Sequence, residues 1–342
     1  MLKHLAILLL TGACVYAVNT KELDDVRAKD SFATADNAVV ERFLTDSFGE
    51  MLNAKNLSEV INVADIITLR LPKAEQTDYK SAFTAALKTE IEKVMARVDG
   101  WEDQRFAAGF KIVMANIAYK LDDAAFLTLA AELTASEQVS SRYWGLKLAL
   151  EAAPLAEIKA GSENGKALTD AVALQAESET SSIVMMYMAE LASKIADADA
   201  DRILASLMKS RIAQYKSGKT SFESFDAGLL KSAAARIKAG NNELKEPFAQ
   251  IFAFAAQRYI YSLEDGNDIS EQAKIQLGAM ISETVKNVLP VLEINGESLL
   301  KAMERRNFQQ ATDEYKSLFD TIAQKLAISY ASGEPEKLDI GN

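Results

Sequence analysis

Apolar and polar positions follow a helical period through most of this chain, and the stretch from Thr180 to Tyr215 shows it most plainly. Ile183, Val184, Met185, Met186, Met188, Leu191 and Ile195 run almost all the way round a first helix. A helix of that kind is expected between other helices rather than on a surface. Beyond the Asp197–Asp201 run, Ile203, Leu204, Leu207, Met208, Ile212 and Tyr215 form the one-sided stripe of a second helix. The stretch therefore reads as an αα-hairpin with one buried and one half-buried member.

Similar pairs flank it. Residues 36–100 predict three N-terminal helices. The first has its stripe at Val39, Val40, Phe43, Leu44 and Phe48, the second runs from Leu57 to Leu69 and ends before Pro72, and the third closes near Gly100. From there, helices rich in Ala and large apolar residues begin near Trp101, Gln138, Thr180, Glu223 and Ser270, at offsets of about 37, 42, 43 and 47 residues. Each is followed by a second helix, near Asp122, Gly165, Asp199, Asn242 and Glu297. Thr220 with Glu223, and Asp268 with Glu271, have the spacing of capping boxes. Pro154 and Pro290 fall at first-helix ends, and Pro247 falls in the first turn of a second helix. A last amphipathic helix, 309–332, presents Tyr315, Leu318, Phe319, Ile322 and Leu326 on one face and suits a terminal cap. Residues 18–35 read as a polar tether with at most one short helix, and 333–342 as a tail with little to bury.

The expected fold class is all-α, an array of antiparallel helix pairs over 101–332. Its period near 40 residues resembles the HEAT and armadillo α-solenoids. One pair, Arg142-Tyr-Trp-Gly-Leu-Lys-Leu-Ala-Leu with Pro154, comes near the HEAT style, while the others lack its Pro and Arg positions. The resemblance implies a protein-binding scaffold. The alternative architecture is a globular multi-helix bundle without repeats.

The N-terminus carries an address. Lys3 and His4 form a short basic region, Leu5 to Val15 an apolar one, and Val15-Tyr16-Ala17 a small-residue cleavage site before Val18. A secretory signal peptide over 1–17 is expected, with export to a bacterial periplasm or beyond. Thr11-Gly12-Ala13-Cys14 resembles the bacterial lipobox but has Thr11 where Leu is usual. Both simple secretion and a lipoprotein anchored through Cys14 follow from these residues.

Charge and composition narrow the function classes. The formal net charge of −11 disfavours nucleic acid and an anionic membrane surface as main partners. The one His, His4, lies inside the leader, so the processed chain has no imidazole for a nucleophilic triad or a His-bearing metal site. Gly161-Ser-Glu-Asn-Gly165-Lys166-Ala167 is one residue short of a phosphate loop and has Ala for Ser or Thr, so it reads as an interhelix joint. Asp197, Asp199 and Asp201 alternate as in a calcium loop, but Arg202 and Met208 stand where Gly and Glu belong. Asn56-Leu-Ser58 reads as a helix start.

These readings assign no catalytic residue, cofactor or metal. The expected function is a non-catalytic interaction or scaffold protein of a bacterial envelope whose partner is another protein. Phe248, Phe252, Tyr259 and Tyr261 run round one helix and are the candidate partner surface. Two alternatives stand beside it. One is a glycan hydrolase or lyase on a helical toroid, using carboxylates alone. It needs aromatic platforms, whereas Trp101 and Trp144 read as core. The other is a lipid or lipoprotein carrier, which needs an internal apolar cavity.

Overall fold

A computed structural model describes residues 18–328 apart from Asp30, Ala74, Ala196 and 265–268. Residues 1–17, with Cys14 and Ala17 of the expected signal peptide, and residues 333–342, expected as a tail, lie outside the described residues. Among the described residues the secondary structure is entirely helical, with sixteen α-helices and no strand. The expected all-α class holds. Two compact units divide the chain, 1–125 and 126–342.

The first unit contains α1 (Lys21–Arg27), α2 (Asn37–Asn53), α3 (Leu57–Thr68), α4 (Thr77–Val98) and α5 (Gln104–Leu121). Contacts of α2 with α3, α3 with α5, α5 with α4 and α4 with α2 close a ring. Leu44, Phe48, Phe83, Leu87 and Phe110 are buried within these helices. Local chemistry sets the ends. Asn56 caps α3 by accepting from Glu59 N–H at 3.0 Å, so the Asn56-Leu-Ser58 run is a helix start, as its pattern predicts. Asp103 caps α5 by accepting from the N–H groups of Arg105 and Phe106. Residues 18–35 are more than a tether. Leu23 and Val26 of α1 are buried, Asp24 pairs with Arg70 at 2.9 Å, and Arg42 pairs with Glu22 at 3.0 Å. The helix beginning after Trp101, expected to head the array, clusters with this first unit instead.

The second unit contains α6 (Leu127–Thr134), α7 (Val139–Ala149), α8 (Ala152–Lys159), α9 (Glu163–Ala176), α10 (Ser182–Lys194) and α11 (Asp197–Lys216). It continues with α12 (Phe225–Lys238), α13 (Lys245–Tyr261), α14 (Glu271–Glu283), α15 (Glu297–Glu304) and α16 (Phe308–Leu326). Two rows emerge from the packing. In one, α6, α9, α11, α13 and α16 each touch the next. In the other, α7, α10, α12 and α14 do the same. Cross-contacts of α6 with α7, α10 with α11, and α12 with α13 tie the rows together.

The expected helix starts fall within a few residues of observed ones, but α8, with Pro154 in its first turn rather than at a helix end, matches none of them, and the caps differ. Thr220 and Glu223 form no capping box, because α12 begins only at Phe225 and both side chains turn to Arg258. Asp268 lies outside the described residues, and Ser270 caps α14 by accepting from Ala273 N–H at 3.2 Å. Past α14 the chain makes a π turn over Thr284–Val288 and a 3-10 turn over Leu289–Leu292. Pro290 has no N–H to give and its ring would crowd the carbonyl four residues back, so an α ladder cannot pass through it.

Candidate functional site

The row α7–α10 carries an apolar face turned to solvent. Val139 and Tyr143 stand one turn apart on α7, and Ile183 and Tyr187 one turn apart on α10. The Tyr143 and Tyr187 rings meet edge to face with centroids 5.0 Å apart, which joins the two helices into one surface. Trp144 adds an edge contact to Tyr143 at 5.9 Å, and Lys147 Nζ lies 4.5 Å from the Trp144 ring centroid. Val139, Ile183 and Met186 keep 45%, 47% and 49% of their surface exposed, so a large apolar area remains in water. This corrects the expectation that α10 is enclosed all round. Val184, Met185, Met188 and Leu191 are core, while Ile183 and Met186 point outward.

The other row differs in chemistry. Across α9 and α11, Arg202 pairs with Asp170 and Lys209 with Glu177, the second at 3.3 Å. Ion pairs thus join α9 to α11 on their water-facing side, where Leu174 of α9 is also 75% exposed, and α10 carries a pair of its own between Lys194 and Glu190. Asp199 and Asp201, the carboxylates of the calcium-like run, pair with Arg202 and Arg236. Ser162, in the run likened to a phosphate loop, caps α9 by accepting from Gly165 N–H at 3.1 Å.

Buried ion pairs hold this framework. Arg142 of α7 reaches the joint before α10, donating to Glu179 Oε2 at 2.6 Å and Oε1 at 3.0 Å. Glu179 Oε1 also accepts the N–H groups of Thr180 and Ser181 at the start of α10. On α11, Arg211 donates to both Asp226 oxygens at 2.7 and 2.8 Å, and Tyr215 Oη donates to Asp226 Oδ2 at 2.8 Å. Burial raises the Tyr215 pKa well above its ordinary value, with the Asp226 carboxylate adding to it. Burial works against the Arg211 charge, but the adjoining Asp226 outweighs it and the guanidinium pKa rises. Ser210 Oγ and Gln214 Nε2 both donate to the Glu179 carbonyl, so the two ion pairs belong to one network.

That network also shapes the loop between α11 and α12. Arg211 Nη1 donates to the Ser221 carbonyl at 3.3 Å, and Glu223 N–H donates to Gln276 Oε1 at 3.2 Å. Between these two anchors Phe222 takes φ 55° and leaves its ring 55% exposed. A left-handed conformation is uncommon for a bulky residue, and here the neighbours on both sides hold it. Ile275, adjacent to Gln276 on α14, is 65% exposed.

In the first unit a groove of about 640 Å³ runs along α2 and α4. Small side chains, among them Ser81, Ala82 and Ala85, form one side, and Glu41, Asp78 and Glu90 supply carboxylates. Glu90 is almost fully buried and accepts from Thr45 Oγ1 at 3.0 Å and Lys93 Nζ at 2.8 Å. Phe32 is the aromatic residue at its mouth, and neither tryptophan lines it.

The candidate partner surface on α13 needs correction. Phe248 and Phe252 are fully buried, because α13 is packed by α11, α12, α14 and α16 together. Tyr259 and Tyr261 are half-buried, and the Tyr259 ring lies so close to Gly278 of α14 that a methyl group there would sit 3.2 Å from it. Trp101 and Trp144, read as core, are also only half-buried. Trp101 stacks on Phe106 at 5.2 Å and meets Phe110 edge-on at 5.3 Å. Ile183, Met186 and Phe222 were not among the expected site residues. For Phe222 the available signal was an aromatic residue in a polar run after Gly218. No family model, no curated protein and no solved structure matches this chain.

Proposed function

We propose that this chain is an exported, non-catalytic scaffold protein of a bacterial envelope whose second unit is a HEAT-like solenoid that binds another protein through α7 and α10. The observation that carries the reading is the Tyr143–Tyr187 pair set among exposed Val139, Ile183 and Met186. Contiguous apolar surface beyond scattered single residues marks an interaction site. Fully burying an aliphatic side chain contributes about 1.5–3 kcal/mol, and about half of that is left to gain at each of these half-exposed residues, so together they can supply a binding hot spot. The packing of helices in two rows supports the solenoid reading, since each helix there relies on its neighbours in the stack. The signal-peptide pattern of 1–17 supports export, with Cys14 as the anchor in the lipoprotein variant. The acid-lined groove on α2 and α4 has no tryptophan platform, which disfavours the glycan-cleaving alternative, and its hydroxyl and carboxylate lining disfavours a lipid-carrying one.

In-cell crosslinking of the tagged, natively exported protein tests the reading against a Met186→Asp variant. One specific partner captured by wild type and lost in the variant at equal protein level is the expected result. Identical capture by both, or only abundant neighbours in both, would overturn it.

A further inference from the structure

We propose that the groove along α2 and α4 binds a linear aliphatic polyamine, with one ammonium group on Asp78 and another on Glu41. The site lies wholly in the first unit and does not rest on the reading of the α7–α10 face. Helical spacing lays it out. Asp78, Ser81, Ala82, Ala85 and Thr89 recur at three and four residues and share one face of α4, as Asn37, Glu41 and Thr45 do on α2. One alkylammonium group already sits in this groove. Lys93 Nζ donates to Glu90 Oε1 at 2.8 Å, and Thr45 Oγ1 donates to the same oxygen at 3.0 Å. The protein's own amine thus satisfies the nearly buried Glu90 and closes that end. Asp78 stands twelve residues before Glu90, about 18 Å of helix rise away. Among the described residues neither Asp78 nor Glu41 has an ion-pair partner.

Charge and shape together select the ligand. In the lining, Glu41, Asp78 and Glu90 stand against Lys93 alone, which leaves two negative charges uncompensated. Cations outside the lining do not supply the difference. Lys29, Arg42 and Lys88 are held by Asp36, Glu22 and Glu92, and Arg27 and Arg70 by Asp24. Lys80 lies about 200° round α4 from Asp78. Lys73 and Glu75, ahead of α4, are opposite in sign, and Asp46 and Glu50 add further acid on α2. The acids of the groove are strung along it, so they do not gather round one metal ion. Between Asp78 and Glu90 the side chains of Ala82, Ala85 and Ala86 line the α4 wall with methyl groups. Carboxylates separated by methyl groups complement ammonium groups separated by methylenes. A neutral polyol would displace water from Asp78 and Glu41 without compensating their charge. Phe32 at the mouth adds an aromatic ring, which attracts ammonium groups. The volume of about 640 Å³ lies in the range of small-molecule sites.

Isothermal titration calorimetry of residues 18–342 with spermidine tests this, at low and at high salt. One-to-one binding is expected, weaker in high salt. Glu41→Gln and Asp78→Asn should each bind about tenfold more weakly, with unchanged helical circular dichroism, since both side chains are exposed. Asp65→Asn removes the same charge from an exposed position on α3, outside the groove lining, and should bind like wild type. Butylamine, with a single ammonium group, should bind about tenfold more weakly than spermidine. Absence of saturable spermidine binding overturns the proposal. So does a loss in Asp65→Asn equal to that in Glu41→Gln, which would mean counterion attraction to an acidic chain only. Equal affinity for butylamine would overturn the two-point contact, and binding of maltotriose in place of spermidine would overturn the proposal in favour of a neutral sugar.

Discussion

Arg142 and Glu179 form a two-pronged ion pair inside the protein, with Glu179 wholly buried and Arg142 nearly so. The same carboxylate starts α10 by accepting two backbone N–H groups, so one side chain ties α7 to the helix that presents Ile183 and Met186. The face proposed for binding therefore depends on a charge pair beneath it.

Glu179→Gln or Arg142→Met is expected to destabilise the second unit by about 3–5 kcal/mol, because each leaves a buried partner without its counterpart. The double substitution should cost less than the sum of the two, since the residues act as one unit. Urea unfolding of the four proteins measures this. Additive losses would contradict the coupling.

Two helical glycines should respond in opposite directions. A methyl group on Gly145 would lie 2.6 Å from the Ala130 carbonyl and 2.8 Å from Thr134 N, and backbone cannot yield there. Gly145→Ala is expected to part α6 from α7 and to lower the melting temperature by several degrees. Around Gly49 in α2 nothing lies within 4 Å, so Gly49→Ala should add about 0.5–1 kcal/mol from the unfolded chain's lost freedom. Differential scanning calorimetry of both variants checks the signs.

The contrast between α10 and α13 shows how far the sequence could be read. Both helices are apolar nearly all round, and periodicity gives them the same status. In the structure the middle of α13, residues 248–256, is enclosed on every side, which makes Phe248 and Phe252 core, whereas α10 leaves Ile183 and Met186 open. Helix existence and pairing were legible because they rest on local spacing. Which apolar flank lacks a neighbour depends on the number of helices packed around it, and no local pattern encodes that. The reading of 18–35 as a tether with at most one short helix foresaw α1 but not its docking, since Leu23 and Val26 are buried and α1 packs against α2.

Acid should loosen the first unit at α1. The Asp24 pKa is lowered chiefly by its hydrogen bond from Arg70, with the Arg70 and Arg27 charges adding. A carboxylate depressed in the folded state stabilises it above the unfolded value, roughly 3.9, and that contribution is lost as pH falls through the folded value. The Val26 methyl resonance should hold its position down to about pH 4 and then move toward its random-coil value. In Asp24→Asn it should be shifted already at neutral pH. An Asp24→Asn spectrum identical to wild type would contradict the docking role.

Phe222→Gly should cost little burial and relieve a left-handed backbone that costs an ordinary residue about 1–2 kcal/mol. The variant is expected to melt at or above the wild-type temperature. A marked loss of stability would mean that the ring does structural work where it lies.

The central claim is that α7 and α10 present the binding face. A photo-crosslinking amino acid at position 186, compared in living cells with the same group at position 209 on the ion-paired row, tests it most directly. A defined adduct from 186, absent from 209 and abolished by Ile183→Asp, is the predicted result. Equal adducts from both positions, or an adduct indifferent to Ile183→Asp, would contradict it.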